Sequence, residues 1–145
     1  MSNIKEFVDN LHEKPILIYG LGRSGMSALK ALKKAGAHVV AGDDNSDSLV
    51  LAKKAGAELL DDVDYDYSDY AFLILSPGLP FTHPKPHQVV EKAKAAEIEV
   101  ICDIELFSRI YKNIKTIGVT GTNGKSTTSS LLHHMLNKCG VKAEL

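Results

Sequence analysis

The sequence predicts an α/β protein: a Rossmann-like parallel sheet flanked by helices, followed by the first strand-helix unit of a truncated P-loop domain. Two glycine-rich turns, at residues 20–25 and 121–127, each follow an apolar strand pattern and precede a helical one. Between them, short apolar runs alternate with helical patterns, which is typical of the βα units that build a parallel sheet. We therefore expect one Rossmann-like domain at residues 1–102 and the incomplete start of a second domain at residues 103–145.

The composition narrows the class of protein. The 145 residues are 44% hydrophobic and 24% charged, as is ordinary for a globular chain. A net charge of −1 gives no general attraction to nucleic acid or to anionic membranes, so we expect neither as a partner. Cys102 and Cys139 fit neither a disulfide framework nor a zinc site. No apolar run reaches the roughly 20 residues that span a bilayer, and the N-terminus lacks the apolar core of a signal peptide. A cytoplasmic protein without membrane insertion is expected.

The first glycine turn follows a strand and opens a helix. Residues 3–11 carry apolar side chains at helical spacing, which predicts a short lead-in helix. Residues 15–19 are an unbroken apolar run closed by Gly20, which is typical of a buried parallel strand. The pattern Gly-x-Gly-x-x-Gly at residues 20–25 then opens a helix that ends at Gly36. This glycine pattern alone is compatible with NAD, FAD or a UDP-sugar.

A second strand at residues 37–42 is followed by Asp43, Asp44 and Asn45. Two interpretations stay open for these polar residues. An acidic residue at this place, about 20 residues beyond the glycines, hydrogen-bonds the ribose or base of a nucleotide in related folds. The same residues are also suited to cap the helix that begins near Ser46.

A further strand, at residues 70–75, ends in a Ser-Pro-Gly turn at residues 76–78. A turn at the carboxyl end of a parallel strand lies on the ligand-binding edge of an open α/β sheet. The proline-rich residues 79–86 predict an irregular loop near that edge. We interpret His83 and His87 as satisfied or solvent-facing histidines rather than catalytic ones.

The remaining elements before the second glycine turn follow the same alternation. The acidic residues 61–69 predict a solvated loop rather than a metal site. Residues 89–97 have helical spacing, and residues 99–102 form a short strand pattern. Another helix then begins, with Asp103 as its expected N-cap.

The second glycine turn predicts a phosphate-binding loop. It follows the β-branched strand pattern at residues 116–120 and precedes a helix, so backbone N–H groups and the helix dipole would create an anion site. In such a loop Lys125 reaches the outer phosphates, and the Ser126 hydroxyl is a ligand of Mg²⁺. Val119 stands where the generic pattern has glycine. The candidate ATP-binding residues are Gly121, Thr122, Asn123, Gly124, Lys125, Ser126 and Thr127.

Two phosphate-type sites in one chain favour a protein that joins molecules with ATP and Mg²⁺ over one that transfers hydride. Two alternatives stay open from the residues themselves. One is a fragment of an NAD(P)-binding oxidoreductase, which the first glycine pattern favours and the second disfavours. The other is a stand-alone UDP-binding module.

The motifs resemble those of the Mur ligases of bacterial cell-wall synthesis. The matching pieces are Gly-Leu-Gly-Arg-Ser-Gly at residues 20–25, Ser-Pro-Gly at 76–78 with His-Pro at 83–84, Asp-Ile-Glu-Leu-Phe at 103–107, and Thr-Gly-Thr-Asn-Gly-Lys-Ser-Thr at 120–127. They occur in the family's order and spacing over nearly the whole chain. The family's own variant of the phosphate loop accounts for Val119, and the stretch at residues 103–107 points to the branch that adds D-glutamate.

The resemblance implies an ATP-dependent ligase of peptidoglycan precursor synthesis, monomeric and built of three domains. The first domain would hold the UDP end of UDP-MurNAc-L-alanine, and the central domain would bind ATP and Mg²⁺. In the implied reaction the substrate carboxylate becomes an acyl phosphate, which the amine of D-glutamate attacks to form the amide. Lys125 would be catalytic by neutralising charge on the transferred phosphoryl group, and Ser126 would help to hold Mg²⁺.

The resemblance also assigns the substrate site residue by residue. Asp43 matches the family's acidic uracil contact, whereas Asp44 and Asn45 stand where relatives often carry Thr and Arg. The implied UDP-substrate residues are Arg23, Ser24, Asp43, Asp44, Asn45, Ser76, Pro77 and Gly78. Because the family's further Mg²⁺ ligands, modified lysine and D-glutamate site would lie beyond residue 145, we expect this chain to bind the UDP end and to be inactive as a ligase by itself.

Overall fold

The structure is a computed structural model that describes residues 3–60 and 66–145. The chain divides into two units, the first ending at Lys112 and the second running from Asn113 to Leu145. The elements of the first unit are α1 (Asn3–Asp9), β1 (Ile16–Tyr19), α2 (Arg23–Lys34), β2 (Val39–Gly42), α3 (Ser46–Lys54), β3 (Glu58–Leu59), a 3-10 helix (Tyr67–Asp69), β4 (Leu73–Leu75), α4 (Gln88–Ala95), β5 (Val100–Ile101) and α5 (Asp103–Ile110). The predicted acidic loop at residues 61–69 lies partly outside the described residues, and its last part contains the 3-10 helix.

The described strands form one parallel sheet in the order β3-β2-β1-β4-β5. The strand β1 lies at the centre, and Tyr19 at its end is in register with Gly42 of β2 and with Leu75 of β4. The chain moves outward from β1 in one direction through β2 and β3, and in the other through β4 and β5. The carboxyl ends of β1 and β4 therefore form a topological switch point, where open α/β sheets bind ligands. The predicted Rossmann-like fold class is confirmed.

Both faces of the sheet are covered, as a parallel sheet requires. Alternate residues of β1 face opposite layers. Ile16 and Ile18 belong to an apolar cluster with α2 and α5, whereas Leu17 belongs to a second cluster with α4. All three side chains are fully buried, and burying a side chain of this size stabilises the fold by about 1.5–3 kcal/mol. The central strand is thereby fixed, and so is the position of the turn that follows it.

Helix α5 belongs to the first unit. Leu106 and Ile110 are buried in the apolar cluster that contains α2. Outside the core, the Arg109 guanidinium donates to both carboxylate oxygens of Glu99, at 2.8 and 2.5 Å. This pairing lowers the pKa of Glu99. The first unit therefore extends to Lys112, beyond the domain boundary predicted after residue 102.

The start of α5 differs from the expectation by one residue. The N-cap is Cys102, and the expected cap Asp103 is the first helical residue. The Asp103 carboxylate accepts a hydrogen bond from the Ile104 N–H at 2.9 Å. An acidic side chain in the first turn interacts favourably with the helix dipole even when it is not the cap.

The second unit contains α6 (Lys125–Lys138) but no strand. The expected strand at residues 116–120 is wrong for this structure, because a strand needs a neighbour with which to exchange backbone hydrogen bonds, and residues 113–145 provide none. The apolar residues of α6 at helical spacing would ordinarily predict a buried side, but Leu131 and Met135 are 58% and 55% exposed. Among the helices of the described residues, none combines the length and the apolar character that a membrane span requires.

Helix α4 ends with an unfavourable residue, which yields a stability prediction. Helices α2 and α3 end with Gly36 and Gly56 at positive φ, whereas α4 has Glu97 at φ 57 in the same place. Because a side chain at positive φ costs roughly 1 kcal/mol, we expect Glu97→Gly to raise the free energy of unfolding by about 0.5–1 kcal/mol in urea titration. Gly36→Ala should lower it by a similar amount. A loss of stability in the Glu97→Gly variant would contradict this prediction.

Candidate nucleotide-binding site

The glycine turn after β1 brings α2 close to the sheet. A methyl group on Gly25 would lie 2.0 Å from the Gly20 carbonyl oxygen, and one on Gly20 would lie 2.4 Å from Ser76 Cβ. Both contacts are impossible for a real side chain, so the turn can adopt this shape only with glycine at these two positions. A methyl group on Gly22 would meet nothing within 4 Å. The first and third glycines thus serve packing, and the middle one faces open space.

The amino end of α2 offers backbone donors to an anion. Gly22 is the N-cap, and no side chain caps this helix. Its carbonyl accepts the first intrahelical bond, from the Met26 N–H at 3.0 Å. The N–H groups of Arg23 and Ser24 belong to the first turn, so they have no acceptor within the helix. Arg23 is exposed and Ser24 is half-buried, so a diphosphate can approach this helix end.

Asp43 joins the end of β2 to the glycine turn. One carboxylate oxygen accepts a hydrogen bond from the Leu21 N–H, and the other accepts from the Asn45 N–H at 2.8 Å. Each oxygen keeps a further lone pair, so the carboxylate can still accept from a ligand N–H. The structure therefore places Asp43 beside the glycine turn, where the sequence-predicted nucleotide contact requires it.

The side chains of Asn45 and Asp44 have other hydrogen-bond partners than Asp43 has. The Asn45 side chain caps α3 by accepting from the Asp47 N–H at 2.9 Å. Of the two open interpretations, helix capping thus applies to Asn45. Asp44 accepts a hydrogen bond from the Tyr19 hydroxyl at 2.8 Å, and its other oxygen lies 3.4 Å from His87 Nε2.

His87 is a satisfied histidine, as the sequence analysis expected. Its Nδ1 accepts from the Val89 N–H at 3.2 Å and caps α4, and its ring lies 4.8 Å from the Tyr19 ring, centroid to centroid. His83 is exposed. Sequence reasoning did not single out Tyr19, although its position at the end of β1, beside β2, placed it at the ligand-binding edge.

The Ser-Pro-Gly turn lies next to the glycine turn. The Ser76 N–H donates to the Tyr19 carbonyl at 2.9 Å, and the Ser76 carbonyl accepts from the Leu79 N–H at 3.0 Å. Ser76 is half-buried, whereas Pro77 and Gly78 are exposed. The structure thus brings the predicted residues after β1, β2 and β4 to one edge of the sheet.

The second glycine turn, in the unit from Asn113 to Leu145, has the features of an anion loop. Gly124 is the N-cap of α6 with φ 77, and no side chain caps the helix. The Lys125 ammonium lies over the loop and donates to the carbonyl oxygens of Gly121 at 2.6 Å and Thr122 at 3.4 Å. Residues 120–128 are exposed. The uncapped helix end and the lysine beside it fit a bound polyphosphate.

Ser126, the predicted Mg²⁺ ligand, belongs to the same loop. It lies in the first turn of α6 and is exposed. The described residues contain no group of three or more His, Cys, Asp or Glu side chains that could hold a metal ion. One hydroxyl fits the way Mg²⁺ binds at nucleotide sites, where phosphate oxygens and water provide most of the ligands.

Comparison with known proteins agrees with the motifs. No protein-family model matches the chain. A UDP-N-acetylmuramoylalanine–D-glutamate ligase of Caulobacter sp. (strain K31) is 47% identical over 133 residues, which are 88% of this chain and 28% of the relative. The ligase of that name from Brucella abortus (strain 2308) is 43% identical over 139 residues, 93% of this chain and 30% of the relative. Among solved structures, shikimate dehydrogenase from Aquifex aeolicus superposes with a TM-score of 0.49 at 17% identity. The superposition covers 79% of this chain and 57% of the dehydrogenase. A likeness this distant does not bear on function.

The chain spans less than a third of the length of the curated relatives it matches. The match nevertheless extends over both glycine turns and the residues between them, in one continuous order. The resemblance that the motifs predicted is confirmed: this chain is related in sequence to the N-terminal portion of the UDP-N-acetylmuramoylalanine–D-glutamate ligases, which are Mur ligases.

Proposed function

We propose that this chain is the N-terminal part of a ligase that uses ATP to add D-glutamate to UDP-MurNAc-L-alanine, and that its first unit binds the UDP end of that substrate. The observation that carries the proposal is Asp43, held against the glycine turn by the Leu21 N–H at the carboxyl edge of the sheet, where β1 and β2 end. Relatives that are 47% and 43% identical carry the name of this activity. The reaction belongs to peptidoglycan precursor synthesis, which supports cell shape and division, and the parent enzyme acts as a cytoplasmic monomer.

In this proposal the substrate nucleotide lies across the ends of β1, β2 and β4. The diphosphate accepts hydrogen bonds from the N–H groups of Arg23 and Ser24 at the amino end of α2. The uracil imide donates to Asp43. The turn formed by Ser76, Pro77 and Gly78 provides backbone groups along the uridine. Each of these groups lies within five residues of the end of a strand, so the site is largely preformed.

The second glycine turn would hold ATP and Mg²⁺. When bound there, the nucleotide would supply the phosphoryl group that activates the substrate carboxylate. The chain contributes the N–H groups at the start of α6, the Lys125 ammonium and the Ser126 hydroxyl. Lys125 would leave the loop carbonyls for the phosphates and neutralise developing negative charge, which is where preorganised electrostatics contributes most to phosphoryl transfer.

We also propose that the 145 residues bind the nucleotide substrate without forming the amide by themselves. The support is that the chain covers 28–30% of the length of the ligases it resembles. A coupled assay that measures ADP release with UDP-MurNAc-L-alanine, D-glutamate and MgATP tests this point. D-glutamate-dependent ADP release by this chain would refute it.

Calorimetric titration of the chain with UDP-MurNAc-L-alanine, UDP and NAD⁺ tests the proposed function. We expect saturable binding of the muramoyl nucleotide and of UDP, and none of NAD⁺. Binding of NAD⁺ alone would favour the alternative of an oxidoreductase fragment. Binding of UDP without preference for the muramoyl nucleotide would favour a stand-alone UDP-binding module.

A further inference from the structure

Tyr19, Asp44 and His87 form a cluster at the ligand-binding edge, where the ends of three elements meet. Tyr19 ends β1, Asp44 follows β2, and His87 precedes α4. The Tyr19 hydroxyl donates to Asp44 Oδ1 at 2.8 Å, and His87 Nε2 lies 3.4 Å from Asp44 Oδ2. Both oxygens of Asp44 thus face protein partners.

The tautomer of His87 follows from its second contact. Because Nδ1 accepts from the Val89 N–H at 3.2 Å, this nitrogen carries the lone pair, and the hydrogen of the neutral ring is assigned to Nε2. The two ring nitrogens therefore have different contacts: Nδ1 caps α4, and Nε2 lies 3.4 Å from Asp44 Oδ2. The His87 side chain is 19% exposed.

The backbone around the cluster leaves room for this arrangement. A methyl group on Gly42 would lie 2.5 Å from Tyr19 Cδ2, so the tyrosine ring lies directly against the end of β2. The same ring lies 4.8 Å from the His87 ring. Replacing Gly42 by any larger residue would displace Tyr19 from this position.

His87 also closes the proline-rich loop. The backbone N–H of His87 donates to the Pro80 carbonyl at 2.9 Å. This hydrogen bond joins the two ends of the loop that follows the Ser-Pro-Gly turn. The His87 side chain then connects this closed loop to the end of β2 through Asp44. The proposed nucleotide site lies between the two segments that the cluster connects.

We propose that His87 is a positioning residue for the nucleotide: with Asp44 and Tyr19 it fixes the separation between the loop after β4 and the residues after β2. In this role Asp44 acts through His87 and is not a ligand contact, although the resemblance to the family implied one. The inference rests on the proposed binding of UDP by the first unit.

The variant His87→Asn separates the two uses of the histidine. Asparagine is among the best N-cap residues, so the cap of α4 is kept, but its side chain is too short to reach Asp44. In calorimetric titration of the 145-residue chain with UDP, we expect affinity about tenfold lower than in the unmodified chain, as loss of one charge-assisted contact would give. The urea midpoint should stay unchanged. His83→Asn makes the same chemical change at an exposed position of the same loop, and should leave UDP affinity unaltered.

A double-mutant cycle tests whether Asp44 acts through His87. Asp44→Ala should weaken UDP binding about as much as His87→Asn, and the double variant should bind no more weakly than either one. Affinity in His87→Asn equal to that of the unmodified chain would overturn the inference. So would losses that multiply in the double variant, because they would make Asp44 an independent ligand contact. If the unmodified chain binds no UDP, the proposed function fails and this inference with it, whereas normal binding by His87→Asn overturns this inference alone.

Discussion

Gly25→Ala is expected to destabilise the first unit by about 3 kcal/mol or more, the scale of severe overpacking at a backbone contact. Gly25 lies in α2, where replacing glycine by alanine would ordinarily stabilise an exposed helix by roughly 0.5–1 kcal/mol. Here the added methyl group would lie 2.0 Å from the Gly20 carbonyl oxygen. Relief would require α2 to move away from β1, which would open the core around Leu29.

Urea denaturation followed by circular dichroism measures this effect. Gly22→Ala is the matched control in the same turn, since its methyl group would meet nothing within 4 Å and the change should stay within about 1 kcal/mol. Equal stabilities of the two variants would mean that α2 does not approach β1 as closely as the structure shows.

Asp43→Ala is expected to reduce UDP affinity about a hundredfold, the equivalent of losing roughly 2.7 kcal/mol of charge-assisted hydrogen bonding. The substitution removes the acceptor for the Leu21 N–H and for the Asn45 N–H. Leu21 is only 5% exposed, so its N–H would lose its partner in a nearly dry position. We expect a cost in stability of about 1–3 kcal/mol on that account.

Two further variants make the measurement specific. Asp43→Asn keeps an oxygen acceptor for the backbone but has no charge, so it should retain more stability than Asp43→Ala while still binding UDP weakly. Asp47→Ala removes the same charge from the first turn of α3 and should change UDP affinity little. Undiminished UDP affinity in Asp43→Ala would remove the central support for the proposed site.

Much of the first unit could be predicted from sequence because its signals are local. Apolar runs that end at or just before a glycine identified β1 and β2, and their parallel pairing placed both carboxyl ends at one edge. The role of Asn45 was less accessible, since capping and ligand contact require the same residue types at the same position. The backbone conformation around the residue distinguishes the two.

The contacts of Tyr19 and His87 could not be predicted, because they depend on the path of the proline-rich loop. Residues 79–86 have no periodicity from which a path follows, and His87 lies 43 residues from its partner Asp44 along the chain. The strand at residues 116–120 failed for the opposite reason. Its local pattern is strong, but a strand forms only when another strand lies beside it.

The position of Lys125 has a consequence for how the second unit responds to salt. Its ammonium donates to two carbonyl oxygens of its own loop, so an arriving anion replaces these neutral acceptors with charged ones without first ordering a free side chain. The side-chain entropy of a lysine, on the order of 2 kcal/mol, is already partly lost before binding. Phosphate or sulfate in a buffer would therefore compete with the ATP that we propose for this loop. The affinity for ATP measured in chloride should exceed that measured in phosphate or sulfate at equal ionic strength.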